Sequence, residues 1–204
     1  MIRRTSIKNI NSLLEKNPTW KVLDIGCGYT PNKYATEIAD QQDLSSFYKG
    51  RKFIKINEKV LPFQDKEFDF VIASHVIEHV QDFEFFLKEL ERISSKGYIE
   101  LPSRLGDNLV FENIKDHIWW FAYDDLKKEL VVSLKNQIIE PFLSVATAKL
   151  LEKNFRESLV IELEWDKSIE YTINKSLRNE GFQKISFIKI VKKYLSKRIR
   201  KLFS

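Results

Sequence analysis

Residues 22–28 read VLDIGCG, a short apolar run that leads directly into two glycines. Such a run suits a strand that is buried on both faces of a parallel sheet. Gly26 and Gly28 suit the turn at its carboxyl end, because glycine accepts the positive φ angles that tight turns require. Since ligands of open α/β sheets bind at the carboxyl ends of the strands, the stretch predicts a ligand site as well as a strand.

Strand-like and helix-like segments alternate around this stretch. Further strands are predicted at residues 35–40, 52–56, 68–73 and 98–101. Helices are predicted at 7–14 and 83–93, where apolar residues recur at helical spacing. The alternation predicts an α/β fold with a mostly parallel sheet. Only eleven residues separate Gly28 from Asp40, too few for both a crossover helix and a strand, so no full helix is expected between them.

The second half of the chain predicts β structure around one helix at 141–154. Two strand pairs are expected, 119–123 with 130–134 and 159–165 with 169–173. Asp166 and Lys167 would form the turn of the second pair. Some of these strands are expected to complete the main sheet antiparallel at one edge, and the others to form a cap beside the site.

The positive charge is concentrated at the end of the sequence. The net charge is +5, yet residues 183–204 hold eight Lys or Arg and no acidic residue, which leaves 26 basic and 29 acidic residues elsewhere. A nucleic-acid-binding fold more often spreads basic residues over its surface, so no nucleic-acid partner is expected. Residues 187–203 combine an apolar stripe with basic residues, the pattern of a helix that lies on anionic membranes. Packing of that helix on the domain is the alternative.

Several classes of protein are disfavoured by the composition. Cys27 is the single cysteine, so no internal disulfide can form, and there is neither an apolar h-region nor a run of 18 apolar residues. These features predict a cytoplasmic protein, with peripheral contact at the inner face of the membrane as an option. No Cys/His cluster has the spacing of a zinc site, so no metal is predicted. Dinucleotide binding is disfavoured because Pro31, which lacks an N–H, occupies the place of the third glycine of G-x-G-x-x-G.

Four motifs occur in an order that resembles one family. They are VLDIGCG, LPFQDKEFDFVIASHVIEHV, FLKELERIS and GYIELP, which together span about residues 20–103. The chain resembles class I S-adenosylmethionine-dependent methyltransferases, and is most similar to a bacterial branch whose acceptors are mostly unassigned. The resemblance implies a Rossmann-like sheet, S-adenosylmethionine as cofactor, and methyl transfer to a small molecule or glycan. A non-catalytic module that binds the cofactor is the rival interpretation.

With that resemblance, residues 1–204 are interpreted as one methyltransferase domain. Residues 1–103 would form the cofactor-binding half. Residues 104–182 would complete the sheet with a β-rich addition and cap the acceptor, and 183–204 would form the basic amphipathic tail.

The resemblance assigns cofactor contacts to the loops that follow the strands. At the methionine end, Gly26 and Gly28 would bring the backbone close, Asp24 would face the amino group, and Ser74 and His75 would lie beside the sulfonium.

At the adenosine end, Asp40 would accept hydrogen bonds from both ribose hydroxyls. If residues 32–41 are helical instead, Asp43 takes that role. Asn57 would face the adenine amino group, with the Glu58 N–H near a ring nitrogen.

Two residues depart from the family pattern. Thr30 stands where a third glycine is usual, and a β-branched residue resists positive φ. Asn57 stands where aspartate is usual, although its carbonyl oxygen can still accept a hydrogen bond.

His75 and His117 are the candidate catalytic residues, with His79 as a weaker candidate. Methyl transfer needs a base only when the acceptor is a weak nucleophile, such as a hydroxyl. The neighbouring Trp119 and Trp120 could stack on a sugar, although core packing is the more common role of such residues.

Overall fold

The computed structural model describes residues 1–174 and 185–202. Its strands are β1 (Ile2–Arg4), β2 (Val22–Ile25), β3 (Glu37–Asp40), β4 (Lys52–Lys55), β5 (Phe70–Ser74), β6 (Lys96–Pro102), β7 (Trp119–Asp124), β8 (Glu129–Leu134), β9 (Val160–Asp166) and β10 (Tyr171–Ile173). Its helices are α1 (Ile7–Lys16), α2 (Phe83–Ile93), α3 (Arg104–Leu109), α4 (Asn113–Asp116), α5 (Val145–Leu159) and α6 (Phe187–Leu202), with one 3₁₀ turn at Ile77–His79.

A seven-stranded sheet forms the centre of the protein, in the order β1-β9-β6-β5-β2-β3-β4. Strands β2 to β6 run parallel to one another, and β9 is antiparallel to both β6 and β1. This mostly parallel sheet confirms the predicted α/β fold. Strand β9 is the antiparallel strand that was expected near one edge.

Helices cover both faces of the sheet because strand side chains alternate between the faces. On one face, Ile10 and Leu14 of α1 belong to the same buried cluster as Val22 and Ile72. On the other face, the apolar stripe of α2 is buried in a larger cluster. That cluster includes the neighbours of Val22 and Ile72 along β2 and β5, whose side chains point to the opposite face of the sheet. The side chains of Ser6 and Asp82 cap the first turns of α1 and α2, so both helices begin where their sequences provide a cap.

The connection from β2 to β3 contains no helix, which confirms the prediction made from its length. The backbone N–H groups of Gly26 and Cys27 both donate to the Ala39 carbonyl, at 2.8 and 3.2 Å. These bonds close the glycine turn directly onto the end of β3. The site-forming loop is therefore short and fixed at both ends.

The predicted strand pair 159–165 with 169–173 is wrong. Strand β9 pairs with β6 and β1, whereas β10 pairs in parallel with β8 in a second sheet of order β10-β8-β7. The chain turns away from β9 at Lys167, whose φ is +70°. The short edge strand β1 was not predicted. The predicted pair 119–123 with 130–134 is present as β7 and β8.

The helix predicted at 141–154 begins and ends later than expected. Its first residue is Val145, because the Ser144 side chain accepts from the Thr147 N–H and caps the first turn there. The helix then continues to Leu159 across a kink at Phe155.

Helix α6 occupies most of the predicted tail, and its apolar side chains are largely exposed. They are Phe187, Ile188, Ile190, Val191, Tyr194, Leu195 and Ile199. Phe187 stacks on Phe142, with ring centroids 5.3 Å apart. Within the described ranges, no helix combines the length and apolar character that crossing a membrane requires. Residues 175–184 and 203–204, which include parts of the predicted cap and tail, lie outside the described residues.

Candidate functional site

An open cleft of about 1130 Å³ lies at the carboxyl ends of the parallel strands. Among its lining residues are five of the predicted site residues: Gly26, Asp40, Asn57, Glu58 and His75. They follow β2, β3, β4 and β5, which end along one edge of the sheet. Four predicted residues do not line the cleft: Asp24, Gly28 and Ser74, which lie on or shortly after β2 and β5, and His117, which follows α4.

The two glycines after β2 serve different purposes. Both have positive φ, +68° for Gly26 and +49° for Gly28. A Cβ at Gly26 would lie 2.3 Å from Val76 Cγ2, whereas a Cβ at Gly28 would meet nothing within 4 Å. Gly26 is therefore required for packing, and Gly28 leaves open space against the backbone. Thr30 does not have positive φ, so the departure from glycine there causes no strain.

Asp40 is held in place by backbone donors. Its Oδ2 accepts from the Gly28 N–H and its Oδ1 from the Gln42 N–H, each at 2.8 Å. A carboxylate has about four acceptor sites, so lone pairs remain for ligand hydroxyls. Asp43 bonds to the backbone and hydroxyl of Ser45 and does not line the cleft. The geometry thus favours Asp40 over Asp43 as the ligand-facing carboxylate.

Asp24 is a buried carboxyl beside the glycine turn. Its Oδ2 accepts from the Asn32 N–H at 2.6 Å, and among the described residues it forms no salt bridge. Burial raises the pKa of Asp24 to about 7, although the Asn32 bond and the Arg51 charge act in the opposite direction. A buried carboxyl without a cation suits a ligand that supplies an ammonium group.

His75 directly follows β5 in an uncommon backbone conformation, with φ of +56°. Its Nδ1 lies 3.2 Å from Glu78 Oε1 and its Nε2 lies 3.1 Å from Glu100 Oε1. Burial opposes a charge on this ring, but the hydrogen bonds that the ring donates to Glu100 and Glu78 outweigh it and raise the pKa of His75 to about 10. At neutral pH the ring is therefore an imidazolium and cannot accept a proton from a substrate.

A second cavity, of about 320 Å³, adjoins the cleft. Helices α3, α4 and α5 contribute most of its lining. His75, His79 and Asp116 line both spaces, so the two cavities meet at these residues. His117 lines the second cavity but not the cleft. A molecule in this cavity would approach a ligand of the cleft at His75 and His79.

A buried polar network supports His117 from behind. Asp107 accepts from His117 Nδ1 at 2.5 Å and from Trp120 Nε1 at 2.6 Å, and pairs with Lys135 at 2.9 Å. Burial opposes ionisation of Asp107, but His117 and Lys135 outweigh it and lower its pKa. Because the carboxylate only accepts, Nδ1 of His117 carries a proton, and in the neutral ring Nε2 is the nitrogen with the lone pair.

The two tryptophans contribute to packing and not to the lining of either cavity. Trp119 donates to the Val80 carbonyl at 2.8 Å and packs edge-on against Phe83, and Trp120 is buried against Asp107. Sequence reasoning did not identify Glu78, Glu100, Asp107 or Lys135. No spacing pattern links these residues, which lie on separate elements.

Comparison with known proteins identifies one family. Residues 23–99 match the family described as a methyltransferase domain. The match covers the strands and loops that form the cleft, and it implies S-adenosylmethionine as the cofactor, as predicted from the motifs. The glycine turn, with open space at Gly28, and the unpaired Asp24 fit a ligand of this kind. No curated protein is significantly similar to the chain in sequence.

Solved structures resemble the chain at low identity. A methyltransferase from Thermotoga maritima, described as a possible histamine N-methyltransferase, is 14% identical with a TM-score of 0.45, covering 78% of this chain and 89% of that one. The PH0226 protein from Pyrococcus horikoshii OT3 is 20% identical with a TM-score of 0.42, covering 78% and 88%. The trans-methyltransferase CalH, solved with SAH, is 18% identical with a TM-score of 0.38. The matched region covers 47% of this chain and only 35% of the CalH chain.

Proposed function

We propose that this class I S-adenosylmethionine-dependent methyltransferase transfers a methyl group to a small-molecule or glycan acceptor. The observation that carries the proposal is the junction of two cavities at His75 and His79. One cavity has the features of a cofactor cleft, and the other is a separate space of acceptor size. Methyl transfer requires this arrangement, because the two reactants must meet in line at a single point.

Different residues would bind the two ends of the cofactor. Asp40, Asn57 and Glu58 would hold the adenosine end, and the turn at Gly26 and Gly28 would hold the methionine end. Asp24 would pair with the amino group, and Ser74 and His75 would lie beside the sulfonium. When bound, S-adenosylmethionine supplies an electrophilic methyl group.

The lining of the second cavity favours a small neutral or cationic acceptor. Its volume of about 320 Å³ suits a compact molecule or a single sugar unit. Glu112, Asp116 and Glu152 contribute acidic groups to the lining, and among the described residues Lys149 is the only Lys or Arg in it. These carboxylates disfavour a polyanion such as nucleic acid.

His117, unlike His75, retains a nitrogen that can interact with an acceptor. The lone pair on its Nε2 can accept a proton or bind a cation, but it cannot do both. Asp107 fixes the ring orientation in either case. We therefore assign His117 to the acceptor side of the reaction and His75 to the organisation of the junction.

Two measurements on the purified chain test the proposal. Calorimetry with S-adenosylhomocysteine should show binding of one ligand per chain. Transfer of an isotopically labelled methyl group should then be observed with a panel of sugars, amines and phenols. Labelled product in any arm supports the proposal. Binding without product across fractions of a cell extract would favour a non-catalytic cofactor-binding module, and absence of binding would overturn the proposal.

A further inference from the structure

Three side chains converge beside the junction of the two cavities. Glu78 and His79 belong to the 3₁₀ turn after β5, and His117 follows α4. One ligand atom from each lies within 4.8 Å of the other two. The two imidazole rings are perpendicular, with centroids 4.5 Å apart. A backbone bond from the Ile118 N–H to the Glu78 carbonyl, at 2.8 Å, holds the segments together.

Both histidines have the hydrogen bonds typical of metal ligands. Nδ1 of His79 donates to the Asp116 carbonyl at 3.0 Å, and Nδ1 of His117 donates to the Asp107 carboxylate. Metal-binding histidines usually donate one ring N–H to a carbonyl or carboxylate in this way, because the bond fixes the tautomer and orients the other nitrogen. In the neutral form of either ring, Nε2 is then the nitrogen whose lone pair can bind a metal ion.

The carboxylate of Glu78 provides an independent indication of a ligand. Its side chain is fully buried, and Oε2 has no hydrogen-bond partner, whereas Oε1 lies 3.2 Å from His75 Nδ1. A buried carboxylate oxygen without a partner is costly, since desolvation removes its water and nothing replaces it. A cation bound between Glu78 and the two histidines would satisfy this oxygen.

We propose that Glu78, His79 and His117 bind a divalent transition-metal ion, with zinc as the first candidate. Two imidazole nitrogens and one carboxylate oxygen form the donor set of many catalytic zinc sites, which keep a fourth position open. Nitrogen ligands disfavour magnesium and calcium, which prefer oxygen. The sequence predicted no metal site because Glu78 and His79 are far from His117 along the chain. Only the fold brings them together.

The position of the ion suggests what it does, and this step rests on the proposed function. His79 lines both cavities and His117 lines the acceptor cavity, so an open coordination position would face the acceptor. An acceptor hydroxyl bound there would have a lowered pKa, and its proton could pass to solvent water. The oxygen lone pair would then form the bond to the methyl carbon as the carbon–sulfur bond breaks, with that electron pair moving to sulfur. His117 would act as a ligand and not as a base.

Metal titration of the chelator-treated full chain tests the site. Calorimetry with zinc chloride should show one ion per chain, and cobalt(II) should give visible absorption bands in the same stoichiometry. His79→Ala and Glu78→Gln should each weaken zinc binding by more than about 100-fold, beyond the effect usual for outer-shell partners. Glu112→Gln, which changes a carboxylate that lines the second cavity but is not one of the three proposed ligands, should leave zinc binding unchanged.

The outcomes separate the metal site from the proposed function. Because His79 is exposed, His79→Ala should remain folded by circular dichroism even if Glu78→Gln does not. The proposal fails if the folded wild-type chain binds no ion, or if His79→Ala binds zinc as tightly as wild type. These titrations contain no S-adenosylmethionine. Metal binding without methyl transfer would therefore overturn the proposed function alone, and methyl transfer without metal binding would overturn the metal site alone.

Discussion

The cleft, to which we assign the cofactor, and the second cavity, to which we assign the acceptor (the acceptor cavity), are built in different ways. The cleft is formed by short loops after parallel strands, and backbone donors hold its main carboxylate, Asp40. The acceptor cavity is formed by helices α3, α4 and α5, and a buried cluster of charges around Asp107 supports it. The cleft therefore depends on backbone geometry, and the acceptor cavity depends on side chains that balance one another's charge.

The largest effect is expected from removal of Asp107. Asp107→Ala would leave Lys135 and His117 buried without their carboxylate, and breaking a buried ion pair in this way typically costs about 3–5 kcal/mol. The free energy of unfolding, measured by urea denaturation, should fall accordingly. Asp125→Ala removes an exposed ion pair with Arg4 and should cost about 1 kcal/mol or less. Equal losses in the two variants would contradict the contrast between buried and surface charges.

On the cofactor side, the buried carboxyl Asp24 should make stability depend on pH. Its pKa is raised to about 7 in the folded chain, so between pH 4 and 7 the folded state binds more protons than the unfolded state. The contribution of Asp24 to the free energy of unfolding is therefore largest at low pH. It falls by up to roughly 4 kcal/mol as the pH rises towards 7.

Asp24→Asn cannot ionise and should remove that dependence. Urea denaturation at pH 5 and pH 8 should show a smaller loss of stability for Asp24→Asn than for wild type. Asp43→Asn, at an exposed carboxyl, should behave like wild type. If Asp24→Asn lost as much stability between pH 5 and pH 8 as wild type does, the pH dependence would not come from ionisation of Asp24.

A smaller effect is expected on cofactor affinity. Asp40→Ala removes a charged acceptor from the cleft and should weaken binding of S-adenosylhomocysteine by about 1.5–3 kcal/mol, roughly 10- to 150-fold. Asp43→Ala is the matched control, because Asp43 lies three residues away but outside the cleft. Calorimetry on both variants decides, and unchanged affinity in Asp40→Ala would exclude Asp40 as the ribose ligand.

The smallest effect concerns α6, which belongs to neither cavity. Its exposed apolar side chains and uncompensated basic residues favour binding to anionic membranes, which would bring the chain to a lipid-linked acceptor. Lys192→Gln should weaken binding to anionic vesicles by about 1 kcal/mol, roughly fivefold, and Lys8→Gln should not. Co-sedimentation at low salt provides the measurement. Equal recovery of the intact chain and a version ending at Gln183 would rule out this role for the tail.

The sequence predicted the cleft better than the acceptor cavity for a physical reason. Each strand from β2 to β6 is a local apolar segment, and parallel strands bring their carboxyl ends together. The order of segments therefore predicted a ligand-binding edge, and the family resemblance assigned Asp40 and Asn57 to it; both line the cleft. The length of the link after Gly28 was likewise sufficient to exclude a helix.

Strand partners and the acceptor cavity depend on contacts between distant parts of the chain. Strand β1 has only three residues, too few for a periodic signal, and it forms only because β9 offers an edge. The local sequence does not indicate whether β10 pairs with β9 or with β8. The convergence of Glu78, His79 and His117 depends on those same contacts, which explains why spacing did not reveal it.

The short link between β2 and β3 also has a consequence for the order of folding. Leu23 pairs with Glu37 across a small loop, whereas Ile2 pairs with Trp165 from the opposite end of the large sheet's sequence, more than 150 residues away. Closing a small loop costs less conformational entropy, so contacts of the first kind can form early and those of the second kind late. The glycine turn and Asp40 would then take up their arrangement before the antiparallel edge closes. The part of the molecule that holds the cofactor would be the part that matures first.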